Sequence, residues 1–254
     1  MTSSEGNLSD PRYTRRVIET HTLQSAHLGE ERTLKIYLPP GYAEHSDTRY
    51  PVVYCHDGLE FFTHGRIATI CNKLVAEGRL NPLFIVGIEV RKQTRNDDYG
   101  PDGARHNEYT EFVAKECIPF VEGRYRVSED PTQRFMAGIS LGAAASMSLH
   151  LRYPELFQRL LLFSGAFYET SRELVRREQS LRDLTAYMVV GRQETSVDTT
   201  AGPYDFYRAN QAMLDLLRER QANVTYKESD GTHIWGFWQK EIPDALEFLQ
   251  RTLA

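Results

Sequence analysis

Five short apolar runs, Val52–Cys55 and residues 83–90, 134–138, 160–163 and 187–191, have almost no polar interruption. A strand with one face in water alternates apolar and polar residues; a run without alternation needs cover on both faces. Between these runs lie stretches of helical periodicity at 67–77, 108–121, 141–152 and 204–220, so strand and helix patterns take turns through most of the chain. That order implies a mostly parallel central sheet with helices on both faces, the α/β class. Ahead of it, residues 14–21 and 32–38 alternate or nearly alternate, the second ending at Pro39-Pro40-Gly41, and read as antiparallel leading strands. A last short strand at 223–227 and an amphipathic helix at about 243–253 complete the layout.

A chain of 254 residues is long enough for one substantial core, and residues 13–254 read as a single domain behind a loose polar tail at 1–12. The 41% hydrophobic and 26% charged content excludes a disordered or fibrous chain. A net charge of −5, with Arg15-Arg16 and Arg176-Arg177 set among acidic neighbours, offers no basic stripe for nucleic acid. Cys55, Cys71 and Cys117 form an odd set without metal spacing, which fits reduced thiols. No secretory leader and no spanning apolar run is recognisable, so the expected location is the cytoplasm, with no membrane partner.

In open parallel sheets ligands bind beyond the carboxyl ends of the strands. One such turn, at the end of run 134–138, reads Gly138-Ile139-Ser140-Leu141-Gly142 and leads into a helix pattern through Ala143-Ala144-Ala145. This is the nucleophile-elbow pattern: a tight turn holds a serine side chain clear, and small flanking residues let helix and strand approach. The same turn aims the Leu141 N–H, at a helix N-terminus, toward a developing oxyanion.

Hydrolases of this kind order their triad as nucleophile, acid, histidine. Only His150 and His233 follow Ser140; His150 lies about three turns along the next helix, which leaves His233 in the turn-rich loop 229–238 as general base. The acid should follow the strand ending at Gly191. Glu194 is the first carboxylate available there and Asp198 the second. A metal site on His56, Asp57 and His64 matches no zinc spacing, and Cys55 sits inside a buried strand, where a thiol stays protonated.

Taken together, Tyr37-Leu38-Pro39-Pro40-Gly41-Tyr42, the stretch 51–58, Arg95-Asn96-Asp97-Asp98-Tyr99, the Ser140 elbow, Tyr153-Pro154-Glu155-Leu156-Phe157, Ser164-Gly165 and Gly231-Thr232-His233-Ile234-Trp235 resemble one family. It is the esterase family of α/β hydrolases that includes siderophore trilactone esterases, feruloyl esterases and S-formylglutathione hydrolase. The resemblance runs from about residue 14 to the end. It implies the α/β-hydrolase fold and a second oxyanion donor at the Leu59 N–H, and it favours Glu194 as the acid. It also places Arg95 over the pocket, either facing substrate or paired with Asp97, Asp98 or Glu108, and Trp235 beside the base, packing its loop or stacking on substrate. Two departures stand out: Ala143 where many relatives have glycine, and Asp98 where the arginine stretch has glutamate.

The expected function is hydrolysis of a small-molecule carboxylic ester through an acyl-enzyme on Ser140, with no cofactor, by a monomer or homodimer. Two alternatives remain open from sequence: acyl transfer on the same triad, and a catalytically inactive binding protein on the same scaffold.

Overall fold

The apolar runs become the interior of one eight-stranded sheet. The computed structural model describes residues 15–43, 47–200 and 202–253; the expected tail at 1–12 lies outside them. The strands are β1 Val17–Ser25, β2 Glu30–Leu38, β3 Val52–Cys55, β4 Phe84–Ile88, β5 Arg134–Ile139, β6 Arg159–Phe163, β7 Thr185–Gly191 and, last in the chain, β10 Asn223–Ser229. Their order across the sheet is β1-β2-β4-β3-β5-β6-β7-β10. β1 pairs with β2 and β2 with β4 antiparallel, and every later pairing is parallel. Antiparallel leading strands on an otherwise parallel sheet are the architecture expected of an α/β hydrolase.

Nine α-helices are found among the described residues: α1 Gly58–Thr63, α2 Ile67–Ala76, α3 Arg95–Tyr99, α4 His106–Phe112, α5 Ile118–Glu122, α6 Leu141–Arg152, α7 Glu169–Arg177, α8 Phe206–Glu219 and α9 Trp235–Thr252. A π turn at Val113–Cys117 joins α4 to α5 in one continuous rod. The period of two in each strand divides the core cleanly. Val52, Tyr54, Met136, Leu160, Leu162 and Met188 point into one cluster with α4 to α8. Val53, Cys55, Phe135, Ala137, Leu161, Phe163 and Val189 point into the other, with α2 and α9. Burial on both faces is why these strands carry no polar alternation.

Several boundaries differ from expectation for identifiable reasons. β1 starts at Val17 and runs to Ser25, because an edge strand exposed on most of its length lacks the pattern that would mark it. The last helix begins at Trp235, eight residues before the expected Pro243. Proline commonly opens a helix, but here it sits inside one, and the apolar contacts of Phe237, Trp238 and Ile242 outweigh the hydrogen bond it cannot donate. Residues 235–238 therefore form the first turn of α9, not loop. The stretch 91–105 contains α3, and β8 Val197–Thr199 pairs antiparallel with β9 Gly202–Tyr204, so α8 starts at Phe206 and not at residue 204.

One close approach fixes the front of the sheet. A Cβ placed on Gly58 would lie 2.2 Å from the carbonyl carbon of Gly87, so α1 rests directly on the backbone of β4. Gly58→Ala must push two backbones apart, since no flexible side chain can give way. It is expected to cost roughly 3 kcal/mol of stability, read as a lower midpoint in urea unfolding with an unchanged slope.

Candidate active site

Three adjacent parallel strands, β3, β5 and β6, end in sharp turns at Asp57, Ser140 and Ser164, each a non-glycine residue with positive φ (52°, 55° and 45°). Ser140 stands between β5 and α6 with φ 55° and ψ −121°. The turn can close because Gly138 lacks a side chain: a Cβ there would lie 2.1 Å from the carbonyl oxygen of Gly142. The Ser140 N–H donates to the Phe163 carbonyl at 2.9 Å, and its carbonyl accepts from the Ala166 N–H at 2.9 Å, so the bend is anchored to β6 and the segment after it. The Ser140 hydroxyl makes no capping bond to its own helix and is left for another partner. Ala143 is fully buried beside this turn without disturbing it.

That partner is His233, from the loop between β10 and α9. Its Nε2 lies 2.9 Å from Ser140 Oγ and its Nδ1 lies 2.6 Å from Glu194 Oε2. A carboxylate only accepts, so Nδ1 carries the proton, and Nε2 is left as the acceptor for the serine hydroxyl. Two rings hold the imidazole: Phe206 lies 4.0 Å away, tilted by 34°, and Trp238 meets it edge-on at 4.8 Å.

Glu194 is completely buried. Its Oε1 accepts from the Ser164 hydroxyl and from the Gly191 N–H, both at 2.7 Å. Ser164 in turn accepts from the Trp238 indole N–H at 2.8 Å. With the His233 ring, the Ser164 hydroxyl and the Gly191 N–H make three donors, which satisfy the buried carboxylate and hold it in one orientation. Asp198, the other carboxylate considered, lies exposed in β8 and pairs with Pro203 of β9. His150 is buried in α6, with Nδ1 2.6 Å from the Phe157 carbonyl oxygen.

Leu141 opens α6, and Leu59 is the second residue of α1. The first N–H groups of a helix have no partner within it, so both peptides carry free donor capacity. Asp57 and Glu60, which flank Leu59, line a cavity of about 320 Å³ together with Ser140, His233, Lys92 and Trp235. A second cavity of about 450 Å³ also reaches Ser140 and His233, lined by Leu141, Ala166, Tyr168, Val197 and Phe206 together with Asn96, Asp102 and Thr199. The β8–β9 pair supplies part of its wall, through Val197 and Thr199.

Arg95 borders both cavities. Its Nε and Nη2 each donate to Asp57 at 2.7 Å, so its carboxylate partner is none of the three nearby acids considered. Asp98 is buried instead against Arg32 and Arg105, at 2.6 and 2.8 Å. Trp235 meets Phe61 and Trp238 edge-on, both at 5.5 Å, and also lines the smaller cavity. Sequence reasoning assigned no role to Ser164, Phe206 or Asp57. Ser164-Gly165 at a strand end was the available signal for the first; the contacts of the other two are long-range and leave no local pattern. The three cysteines are buried, and burial pushes the Cys55 thiol far above its ordinary range. Among the described residues no group of three or more His, Cys, Asp or Glu side chains could hold a metal ion, and no helix is long and apolar enough to cross a membrane.

Comparison with known proteins follows the same line. Residues 25–249 match the family described as "Putative esterase". YjcH, an uncharacterized protein of Bacillus subtilis (strain 168), is 31% identical over 225 residues, covering 88% of this chain and 93% of its own length. A solved ferulic acid esterase shares the fold at a TM-score of 0.80 and 20% identity, over 94% of this chain and 99% of that one. The enterobactin esterase of Shigella flexneri, solved in the presence of enterobactin, gives 0.81 at 19% identity over 94% of this chain and 60% of that one.

Replacing Ser164 by alanine removes one donor from Glu194 and strands the Trp238 indole N–H. The reaction of Ser140 with a fluorophosphonate is expected to slow by roughly tenfold, measured as a second-order labelling rate, since one hydrogen bond to a charged group is worth at least about 1.5 kcal/mol. Thermal unfolding of the same variant shows whether the site or the whole fold has changed.

Proposed function

The chain belongs to this esterase family, and on that premise we propose that it is a carboxylic ester hydrolase with Ser140, His233 and Glu194 as its catalytic triad. The observation that carries the reading is the unbroken hydrogen-bonded chain from Ser140 through His233 to a buried Glu194, at 2.9 and 2.6 Å. Its hydroxyl stands on a turn facing two cavities.

Ser140 Oγ attacks the acyl carbon of a small-molecule ester while His233 Nε2 takes its proton. The imidazolium is stabilised by Glu194, which also fixes the tautomer. The negative charge on the former carbonyl oxygen is met by the N–H groups of Leu141 and Leu59, at the N-termini of α6 and α1. His233 returns the proton to the departing alkoxide, and the acyl group remains on Ser140. A water then enters; His233 removes its proton, and collapse of the second tetrahedral intermediate frees the acid and restores the serine. Every proton is carried by the imidazole, so the cycle needs no cofactor.

The two cavities give the two halves of an ester separate seats. The larger sets Tyr168, Phe206, Val197 and Ala166 beside Asn96, Asp102 and Thr199, and suits an aromatic portion that carries polar groups. The smaller sets Lys92 and Glu60 against Val90, Ile139, Trp235 and Trp238, so its walls are mostly apolar with a charged rim. Relatives named for ferulic acid and for enterobactin make a panel of aromatic esters the first choice of substrates.

Ser140→Ala is expected to lower turnover of p-nitrophenyl acetate by at least about 10⁴-fold and to abolish fluorophosphonate labelling, with Glu194→Gln losing roughly 10³- to 10⁴-fold. Asp198→Asn, exposed in β8, should stay within about twofold of the parent. Retained turnover in Ser140→Ala, or a loss in Asp198→Asn matching that in Glu194→Gln, would assign the chemistry differently.

A further inference from the structure

Asp57 stands where α1, α6 and α3 come together. Its backbone takes a left-handed conformation (φ 52°, ψ 46°) as the residue before α1. Its N–H donates to the Tyr99 hydroxyl at 2.9 Å, and its carbonyl accepts from the Phe61 N–H at 3.0 Å. Its carboxylate lies against the first turn of α6: a Cβ on Gly142 would sit 3.3 Å from Asp57 Oδ2. The side chain is thus wedged between the two helix N-termini that flank Ser140.

A carboxylate in that position is a liability. The positive ends of α1 and α6 are the sources of favourable potential for an oxyanion, and a fixed negative charge beside them would consume it. Arg95 covers that carboxylate with two parallel hydrogen bonds while its guanidinium lies 5.0 Å over the Tyr99 ring. His56, next in the chain, adds no charge: burial, reinforced by the positive charge of Arg95, lowers its pKa to about 3. Arg95 is therefore the cation that neutralises Asp57, and both of its facing nitrogens are committed to that partner.

Building on the triad reading above, we propose that Asp57 and Arg95 form a positioning pair for the oxyanion-binding peptides. Asp57 sets the spacing of the Leu59 and Leu141 N–H groups, and Arg95 acts by cancelling the charge of Asp57, not by gripping substrate. Arg95 then matters to catalysis only while the carboxylate is present, which a double-mutant cycle can read.

The four proteins are the parent, Arg95→Met, Asp57→Asn and the double variant, assayed on p-nitrophenyl acetate with phenylboronic acid as an uncharged probe that becomes tetrahedral and anionic on the serine. Arg95→Met should lose on the order of 30-fold in kcat with KM within about twofold, and its boronate inhibition constant should weaken in proportion. The double variant should recover to within about threefold of Asp57→Asn, because no unpaired carboxylate remains. A loss in Arg95→Met confined to KM, or a double variant no better than Arg95→Met, overturns the proposal and makes Arg95 a substrate-facing or purely structural residue. Should Arg95→Met fail to fold, the double variant against Asp57→Asn decides alone, a further drop beyond about tenfold overturning it and a smaller one supporting it. Ser140→Ala, run alongside, keeps the two readings apart. If it stays active, the triad reading fails; if it is inactive and the double variant does not recover, only the positioning pair fails.

Discussion

The buried carboxylate of Glu194 is the interaction on which the candidate site hangs. A fully enclosed anion is stable only when donors surround it, and here they arrive from three directions: the Gly191 N–H at the end of β7, the Ser164 hydroxyl at the end of β6, and the His233 ring from the loop before α9. Satisfying that one group aligns the carboxyl ends of two strands and draws a distant loop across them. The Trp238 indole, bonded to Ser164 and edge-on to His233, locks the first turn of α9 into the same arrangement. The imidazole consequently has one orientation open to it, the one that presents Nε2 to Ser140.

The sheet beneath supplies the rigidity this needs. Alternate residues of β3, β5, β6 and β7 feed two separate apolar clusters, so a strand end cannot shift without disturbing packing on both faces. Side chains carried on such ends are held more firmly than side chains on loops. The cavities, by contrast, draw much of their walls from the connections, including the β8–β9 pair and the 91–105 segment. This division of labour lets fixed chemistry coexist with a variable fit to substrate.

Much of this was legible in the chain itself, and the limits have physical causes. The parallel strands announced themselves because two-sided burial leaves an unbroken apolar run. Ser140 was marked by its flanking glycines, and His233 by position, since the other histidine after the elbow lies inside a helix. Glu194 and Asp198 could not be separated by pattern alone, as both follow β7; only the fold makes one buried and the other exposed. Arg95 was open for the same reason. Its partner Asp57 lies 38 positions earlier, and local charge pairing suggests nearer acids. The early start of α9 was hidden by Pro243, a residue that usually marks a beginning but is overridden here by core contacts on both sides of it.

Asp57, Ser140 and Ser164 share an uncommon backbone state at the tips of neighbouring strands. Such conformations raise the energy of an L-residue by about 1–3 kcal/mol each, and glycine would relieve most of it. The fold could therefore become sturdier at these three tips, but only by surrendering a carboxylate and two hydroxyls. Selection for robustness alone would erode this region first, so the side chains kept here mark where the molecule has exchanged resilience for reactivity.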